Sequence, residues 1–254
     1  MTRFKVGDAV CGSTINLGTY QQFVPFLESE LAHKPMEISH SLGAAYSAIF
    51  LTAFQALARF LKINPQTTPA KNTLNGRNVL IIAGSGGIGS SATLLAKHYY
   101  GANRVLVIGS KKNEHYLKSL GCDHLLDYTN GKEALRKELK EYTGQIDIII
   151  DGVDYKEYAD IQLARNSDES IYVALKYVIP KETSKLFGMN QLVFHAMLAL
   201  GGEYEEILKW MVECKLYHLI PVQELKLEEV NRAHLMSETH KTIGKIVLKI
   251  PELE

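Results

Sequence analysis

The 254-residue sequence is poor in cysteine and has no excess of charge of either sign. Its three cysteines, Cys11, Cys122 and Cys214, are scattered and form no C-x-x-C pair, so the sequence predicts neither a disulfide framework nor a zinc site. Lysine plus arginine and aspartate plus glutamate both total 28, which gives a formal net charge of zero. A neutral chain has no global attraction to polyanions, and we expect no nucleic-acid partner.

Long apolar runs are also scarce. The run that approaches the length of a membrane span, LGAAYSAIFLTAFQALARFL at 42–61, is interrupted by Gln55 and Arg59. Small residues in its first half suit close helix packing, so the sequence predicts a buried helix and no integral membrane segment. The N-terminal MTRFKVGDAVCG lacks the apolar core of a secretory signal, which makes the cytoplasm the expected location; a mitochondrial or membrane-peripheral location is the alternative.

Apolar runs and amphipathic segments alternate in the middle of the chain. We expect strands at 79–83, 105–109, 124–128, 146–151 and 170–178. We expect helices near 88–100, 112–120, 131–143 and 155–165, and further helices near 188–199, 203–215 and 227–236. Repeated βαβ units whose strand cores read VLII, VLVI and IDIII predict an α/β fold with a doubly wound parallel sheet covered on both faces.

The two chain ends have a different pattern. FKVGDAVCG and GTYQQFVPF predict short strands, the second of them broken by Pro25. GKIVLKI predicts a closing strand at 244–250, which we expect to pair with the N-terminal strands. The chain would then leave one domain, build a second and return, so that the first domain comprises residues 1–45 and 216–254 and the second residues 46–215.

A glycine-rich loop, AGSGGIG, follows the first strand of the alternating series. Gly84, Gly86 and Gly89 fit the G-x-G-x-x-G pattern of dinucleotide-binding turns, and the strand before and helix after supply the required context. The plain alternative is a turn that merely packs. A P-loop is rejected, because two serines follow Gly89 where lysine and serine or threonine are needed. A nucleophile elbow at Ser85 is a third interpretation, which also requires a histidine and an acid.

The end of the second strand bears on the choice of dinucleotide. An acid there would bond the ribose 2′-hydroxyl and repel a 2′-phosphate. The sequence instead reads Ser110-Lys111-Lys112, with no carboxylate until Glu114. A hydroxyl and two ammonium groups suit a 2′-phosphate, so the sequence favours NADPH over NADH; the alternative is that both lysines are ordinary solvated residues.

Together these segments resemble the medium-chain dehydrogenase/reductase superfamily, in its zinc-free quinone-oxidoreductase (zeta-crystallin-like) and enoyl-reductase-like branch, with fungal members most similar. FKVGDAVCG resembles the F-x-x-G-D-x-V-x-G turn, AAYSAIFLTAFQAL the hinge helix, and VLIIAGSGGIGSSATLLAK the glycine loop and its helix. LGCDHLLDY and KTIGKIVLKI are similar to the L-G-A-D-x-x-x-D-Y and K-x-x-G-K-x-V-L segments. The resemblance implies a Rossmann domain, a GroES-like catalytic domain, and hydride transfer from NADPH, without zinc, to a quinone or activated alkene, usually in a dimer.

The same resemblance implies roles for individual positions along the cofactor. They are Thr52 near the nicotinamide, Gly86, Gly87 and Ile88 at the pyrophosphate, Ser110 and Lys111 at the 2′-phosphate, Tyr128 beside the adenosine, and Val153 at the nicotinamide ribose. Family members often carry a further lysine where this chain has Asn113, so Lys111 or Lys112 must substitute.

This sequence departs from the family at its front, since it starts at the F-x-x-G-D turn and lacks the strands that normally precede it. The GroES-like domain is therefore expected to be incomplete, and an impaired protein that only binds cofactor or a partner is the alternative function. No catalytic side chain stands out; Tyr20 is the nearest candidate proton donor. YVALKYV is a candidate edge strand through which a homodimer could pair.

Overall fold

The structure is a computed structural model that describes residues 3–14, 18–60, 71–153, 163–165, 169–175, 190–193 and 200–251, with the backbone alone at 59–60 and 190–193. It divides the chain into two compact units. Unit one comprises Met1–Thr52 and Ala196–Glu254, and unit two comprises Ala53–His195. The described residues of 46–52 and 200–215, which the sequence placed in the second domain, group here with the chain ends.

Unit two is built around a six-stranded sheet in which every neighbouring pair is parallel. The strand order is β5-β4-β3-β6-β7-β8. The strands are β3 (Asn78–Ile82), β4 (Arg104–Gly109), β5 (His124–Asp127), β6 (Ile148–Asp151), β7 (Ile171–Ala174) and β8 (Asn190–Val193). All five residues of β3 are buried, as expected for a strand covered on both faces, and the prediction of a doubly wound α/β sheet is confirmed.

Short helices connect the first strands of this sheet. They are α2 (Gly87–Leu94), α3 (Glu114–Ser119) and α4 (Lys132–Leu139). A π-helical turn, Leu95–Tyr99, continues α2, and it directs Tyr99 and Tyr100 against Phe54 at ring-centroid distances of 5.5 and 5.9 Å. On one face of the sheet, leucines of α4 pack with apolar side chains of β3 to β7 in a continuous core. The predicted helix at 155–165 lies mostly outside the described residues.

Two predictions about the far side of this sheet are wrong. Residues 190–193 form strand β8, paired in parallel with β7, where the sequence predicted a helix over 188–199. Short apolar runs fit either structure, and pairing with a neighbouring strand decides between them. Strand β7, the start of the YVALKYV segment, pairs with both β6 and β8 and is therefore not an edge strand; residues 176–178 lie outside the described part.

Unit one contains two separate two-stranded sheets. Strands β1 (Val10–Gly12) and β2 (Leu31–His33) are antiparallel, and β9 (Val222–Lys226) and β10 (Lys245–Lys249) are parallel. The closing strand thus pairs with β9, and the expected pairing with N-terminal strands is wrong. The GTYQQFVPF segment forms no strand in its described residues 18–26, since it finds no partner strand and Pro25 lacks a backbone N–H donor.

Three helices accompany these strands. They are α5 (Gly201–Glu213), α6 (Val230–Glu238) and the first part of α1 (His40–Phe60), which passes the division at Thr52. Tyr46 of α1 donates its hydroxyl to the carbonyls of Tyr217 and Ile220, and Tyr204 of α5 donates to that of Gly43, at 2.6–2.9 Å. The window His40–Ala58 is long and apolar enough to cross a membrane by composition alone, but 78% of it is buried inside the protein. The prediction of a buried helix is consistent with that burial.

An ion-pair network in unit one joins α5 to β2 and to the start of the chain. The carboxylate of Glu205 lies 2.9 Å from Arg3, 3.3 Å from His33 and 2.9 Å from Lys209. Partial burial by itself raises the pKa of Glu205, but hydrogen bonds from Lys209 and His33 outweigh it and lower the pKa to about 2. The ionised form of Glu205 is therefore stabilised by folding.

We predict that Glu205→Gln lowers the free energy of unfolding near pH 7 by on the order of 1 kcal/mol, the upper range for exposed ion pairs. Because the folded pKa lies below the unfolded one, this contribution is complete above about pH 4.5 and is lost as the pH falls towards 2. Urea unfolding of both proteins from pH 7 to pH 2.5 measures it. Glu228→Gln is the control, because Glu228 is exposed and makes no ion pair with a described residue. If the unfolding free energies of wild type and Glu205→Gln differ by an amount that does not change with pH, the assignment is contradicted.

Candidate functional site

The carboxyl ends of four neighbouring strands bring most of the predicted cofactor-binding residues to one edge of the sheet. Ile82 is in register with Ile108 on one side and with Asp151 on the other, and Gly109 is in register with Asp127. Parallel strands end at the same edge, so the loops after β3, β4, β5 and β6 lie side by side. They carry Gly84, Gly86, Gly87, Ile88, Gly89, Ser110, Lys111, Lys112, Tyr128 and Val153.

The strand order makes this edge a topological switch point. The chain runs outward from β3 to β4 and β5, then returns to β6 on the other side of β3. This is the order of the dinucleotide-binding fold, in which ligands bind in the crevice outside the strand ends where the direction of winding reverses. The loops after β3 and β6 flank that crevice here.

Steric contacts distinguish the three glycines of the G-x-G-x-x-G motif. A Cβ atom on Gly84 would lie 2.0 Å from a methyl group of Val107, and one on Gly89 would lie 2.3 Å from the Ala83 carbonyl oxygen. Both glycines are therefore required for close packing of the turn. A Cβ atom on Gly86 would meet only that carbonyl oxygen, at 3.6 Å, so the fold leaves the space beside Gly86 open.

The loop ends in a helix N-terminus whose backbone donors are available. Gly86 is the N-cap of α2, and no side chain caps this end. Its carbonyl accepts the first helical bond, from the Ser90 N–H at 2.8 Å. The N–H groups of Gly87, Ile88 and Gly89 precede that bond and so have no partner within the helix, and the helix dipole adds positive potential. This arrangement suits a phosphate group.

The serines after the loop have structural partners. The Ser90 hydroxyl, fully buried, donates to the Gly84 carbonyl at 3.1 Å and accepts from the Tyr116 hydroxyl at 2.8 Å. Burial raises the pKa of Tyr116 to about 12, although its hydrogen bond to Ser90 acts in the opposite direction. Ser85 makes no hydrogen bond to a histidine among the described residues, so the nucleophile-elbow interpretation receives no support from the geometry.

The segment after β4 contains one buried hydroxyl and two exposed ammonium groups. Ser110 is 6% exposed at the end of the strand, and Lys111 and Lys112 begin a short 3-10 turn that leads into α3. The ammonium of Lys111 lies 2.6 Å from the Glu114 carboxylate, an exposed pair that raises the pKa of Lys111 and lowers that of Glu114. Lys112 makes no ion pair with any described residue. Asn113 is buried.

Sequence reasoning missed Asp127, a carboxylate at the end of β5. Its oxygens accept hydrogen bonds from the Thr129 N–H and hydroxyl at 2.7–3.0 Å, and from the Lys111 N–H at 3.2 Å. Burial alone raises the pKa of Asp127, but these bonds outweigh it and lower the pKa. Asp127 thereby fixes the backbone on both sides of the predicted adenosine site; the neighbouring Tyr128 is half exposed. The D-Y pair in the sequence was the available signal.

A second missed residue, Asp151, orders the loop after β6. It is 1% exposed, and its carboxylate accepts from the Val153 N–H at 2.9 Å and from the Tyr172 hydroxyl at 2.6 Å. The aspartate thus holds Val153 in the turn that follows the strand. Val153 itself is half buried and packs against the core of the sheet.

Two further predicted residues, Thr52 and Tyr20, lie in unit one. Thr52 is buried on α1, at the last position of unit one. Tyr20, also in unit one, is 57% exposed, and its ring contacts that of His234 edge-on at a centroid distance of 6.0 Å. No group of three or more histidine, cysteine, aspartate or glutamate side chains suited to a metal occurs in the part of the chain that the structure describes.

The strand order and the glycine turn define a dinucleotide-binding α/β fold. A family model described as zinc-binding dehydrogenase matches residues 120–248, half of the chain. The chain belongs to this family and to the medium-chain dehydrogenase/reductase superfamily, as the motif resemblance predicted.

Two oxidoreductase relatives match this chain over little more than half its length. A chloroplastic quinone-oxidoreductase homolog of Spinacia oleracea is 35% identical over 136 residues, covering 53% of this chain and 39% of its own. The mitochondrial NAD(P)H oxidoreductase RTN4IP1 of Danio rerio is 32% identical over 152 residues, covering 59% of this chain and 36% of its own. The chain therefore spans little more than a third of the length of these relatives.

Solved structures match over a longer range. The quinone oxidoreductase of Escherichia coli, complexed with NADPH, has a TM-score of 0.75 at 20% identity, covering 96% of this chain and 76% of that one. An NAD-dependent alcohol dehydrogenase has a TM-score of 0.73 at 26% identity, covering 92% and 66% respectively. These likenesses establish the fold.

Gly86→Ala and Gly89→Ala test the different roles of the two glycines. Gly86 has a φ of −73°, which alanine adopts freely, so we expect its variant to unfold within about 1 kcal/mol of wild type. Its added methyl group occupies the open space at the helix N-terminus and should weaken dinucleotide binding at least tenfold. Gly89→Ala should instead lose about 1–3 kcal/mol of stability because of the clash with Ala83.

Calorimetric titration with NADPH, combined with urea unfolding, measures both effects. Gly202→Ala, at a position where a Cβ atom meets nothing within 4 Å, serves as the control. Unchanged NADPH affinity in Gly86→Ala would contradict the assignment of this turn to the pyrophosphate.

Proposed function

We propose that this chain is an oxidoreductase that binds NADPH and takes part in hydride transfer to a quinone or an α,β-unsaturated carbonyl. The observation that carries the proposal is the open space at Gly86, at the N-terminus of α2 and beside the switch point between β3 and β6. A turn with only a packing role would require glycine at positions 84 and 89, but it would not require the space beside Gly86 to stay empty. The relatives named as quinone and NAD(P)H oxidoreductases support the same conclusion.

In this proposal, different residues at the sheet edge contact different parts of the cofactor. The N–H groups of Gly87 and Ile88 hold the diphosphate, whose charge is favoured by the helix dipole. Tyr128 packs beside the adenosine, and Val153, fixed by Asp151, borders the nicotinamide ribose. Thr52 at the nicotinamide stays a prediction from the resemblance.

The chemistry demands little of the protein's own side chains. When bound, NADPH supplies the hydride, and the protein orients the reactants and polarises the acceptor oxygen. A proton must also reach the reduced acceptor. The family resemblance gives solvent this role, and we propose that water delivers that proton; Tyr20, exposed in unit one, stays a prediction from the sequence.

The preference for NADPH over NADH rests on charge at the end of β4. Lys112 is exposed and has no ion pair with a described residue, so its ammonium is available to a 2′-phosphate. Lys111 is shared with Glu114. The nearby Asp127 stays ionised, but its oxygens accept from the Lys111 N–H and from Thr129, so it is not free to bond a ribose 2′-hydroxyl as the acid of an NADH site does.

A protein that binds the dinucleotide without turnover is the second candidate. Among the described residues, Asp127 and Asp151 are the side chains positioned as acids at the sheet edge, and both accept hydrogen bonds from the protein itself. This lack of a free acid favours the second candidate. Loss of NADPH absorbance in the presence of a simple quinone or an enone separates the two candidates. Turnover with either acceptor supports the oxidoreductase, whereas tight NADPH binding without turnover supports the second candidate. A cytoplasmic location and a homodimer remain further proposals.

Substitutions at the end of β4 test the choice of cofactor. We expect Ser110→Asp and Lys112→Glu each to weaken NADPH binding about tenfold or more, because each places a negative charge at the proposed 2′-phosphate site. NADH binding should change less than twofold. Equilibrium titration of both nucleotides measures the ratio.

Lys137→Glu is the matched control, since Lys137 is an exposed lysine on α4 without an ion pair to the described residues. It should leave both affinities unchanged. Ser110 is buried, so Lys112→Glu gives the result if Ser110→Asp does not fold. Equal losses for NADPH and NADH in Lys112→Glu would rule out the 2′-phosphate assignment.

A further inference from the structure

Unit one contains a large cavity that the dinucleotide site does not use. Its volume is about 920 Å³, within the range of roughly 300–1,000 Å³ of small-molecule sites. Strand β1, the first turns of α1, helix α6 and strand β10 line it. Much of the wall is apolar, with side chains such as Val10, Val24, Phe26, Leu31, Ile246 and Leu248.

The one formally charged side chain among the described residues that line the cavity is that of Lys245. Among the described residues that line the cavity there is no aspartate or glutamate, whereas Lys245, His40 and His234 are all present. The buried Glu30 lies next to this wall in sequence, but it accepts hydrogen bonds from the Thr14 hydroxyl at 3.0 Å and the Leu27 N–H at 2.9 Å. No carboxylate of the described residues shifts the pKa of Lys245, so none of them acts as its counter-ion.

Lys245 is the distinctive group in this wall. Its side chain is half buried at the start of β10, and its ammonium makes no hydrogen bond or ion pair with any described residue. Burial lowers the pKa of Lys245, and no neighbouring carboxylate opposes that effect. On the same strand, Lys249 is exposed and lies 3.7 Å from the Glu224 carboxylate. The two lysines thus differ in burial and in having a protein counter-ion, and of the two only Lys245 lines the cavity.

A hydroxyl group that can donate a hydrogen bond also lines the cavity, on a residue close to Lys245 in the sequence. The Ser237 hydroxyl of α6 makes no hydrogen bond to a described residue. A carboxylate carries two oxygens and readily accepts from an ammonium and a hydroxyl together. An alkyl or aryl chain attached to that carboxylate would meet the apolar side chains of β1 and β10.

We propose that this cavity binds a small monocarboxylate with an apolar body, with Lys245 as its counter-ion and Ser237 as a second hydrogen-bond donor. The ligand's charge replaces the missing protein carboxylate, and its apolar body is removed from water by the remaining wall. The site lies within unit one and does not depend on the proposed cofactor chemistry.

Octanoate, octan-1-ol and octylamine are suitable probes, because they share a chain and differ in head group. In calorimetric titrations of the wild-type protein at pH 7, we expect octanoate to bind at least tenfold more tightly than octan-1-ol, and octylamine most weakly. This series needs no variant. Octanoate binding no tighter than octan-1-ol, or no binding by any probe, would overturn the proposal.

Lys245→Met tests the counter-ion, with Lys249→Met on the same strand as its matched control. Octanoate affinity should fall at least tenfold in Lys245→Met and stay within twofold of wild type in Lys249→Met, while octan-1-ol affinity stays unchanged in both. Ser237→Ala should weaken octanoate about threefold to tenfold. Unchanged octanoate binding in a folded Lys245→Met protein would also overturn the proposal.

Discussion

The close approach of the β3–α2 turn to strand β4 is the constraint on which the rest of the nucleotide-binding unit depends. Gly84 lies where any Cβ atom would overlap Val107, and Gly89 where one would overlap the carbonyl of Ala83. These two glycines let α2 start directly on the strand end, with its first N–H groups turned to the crevice. The third glycine of the motif, Gly86, is not required by packing, and the open space beside it leaves room for a ligand.

Two acidic residues at the same edge of the sheet accept hydrogen bonds from neighbouring loops and strands. Asp127 holds the backbone of Lys111 and Thr129, and Asp151 holds Val153 and Tyr172. Both carboxylates sit at strand ends, where the chain must turn and where backbone N–H groups need acceptors. An anionic ligand at this edge is favoured by the N–H groups at the start of α2, by the helix dipole and by the exposed ammonium of Lys112.

The sequence predicts the first four strands of the sheet well, because their apolar runs are flanked by glycine and by amphipathic helices. Prediction from the sequence fails where the neighbouring strand determines which structure a segment adopts. NQLV at 190–193 becomes a strand through β7, and the closing strand pairs with β9 and not with the N-terminal segment. The glycine, serine and lysine positions of the site follow from a local motif. The roles of Asp127 and Asp151 depend in part on partners distant in the chain, Lys111 and Tyr172, which a local pattern does not reveal.

A crystal structure of the chain with NADPH tests the central claim most directly. The account predicts diphosphate oxygens within hydrogen-bonding distance of the N–H groups of Gly87 and Ile88, and the 2′-phosphate beside Ser110 and Lys112. A dinucleotide bound away from the β3–α2 turn, or one that approaches this turn with its adenine and not its diphosphate, would contradict the account.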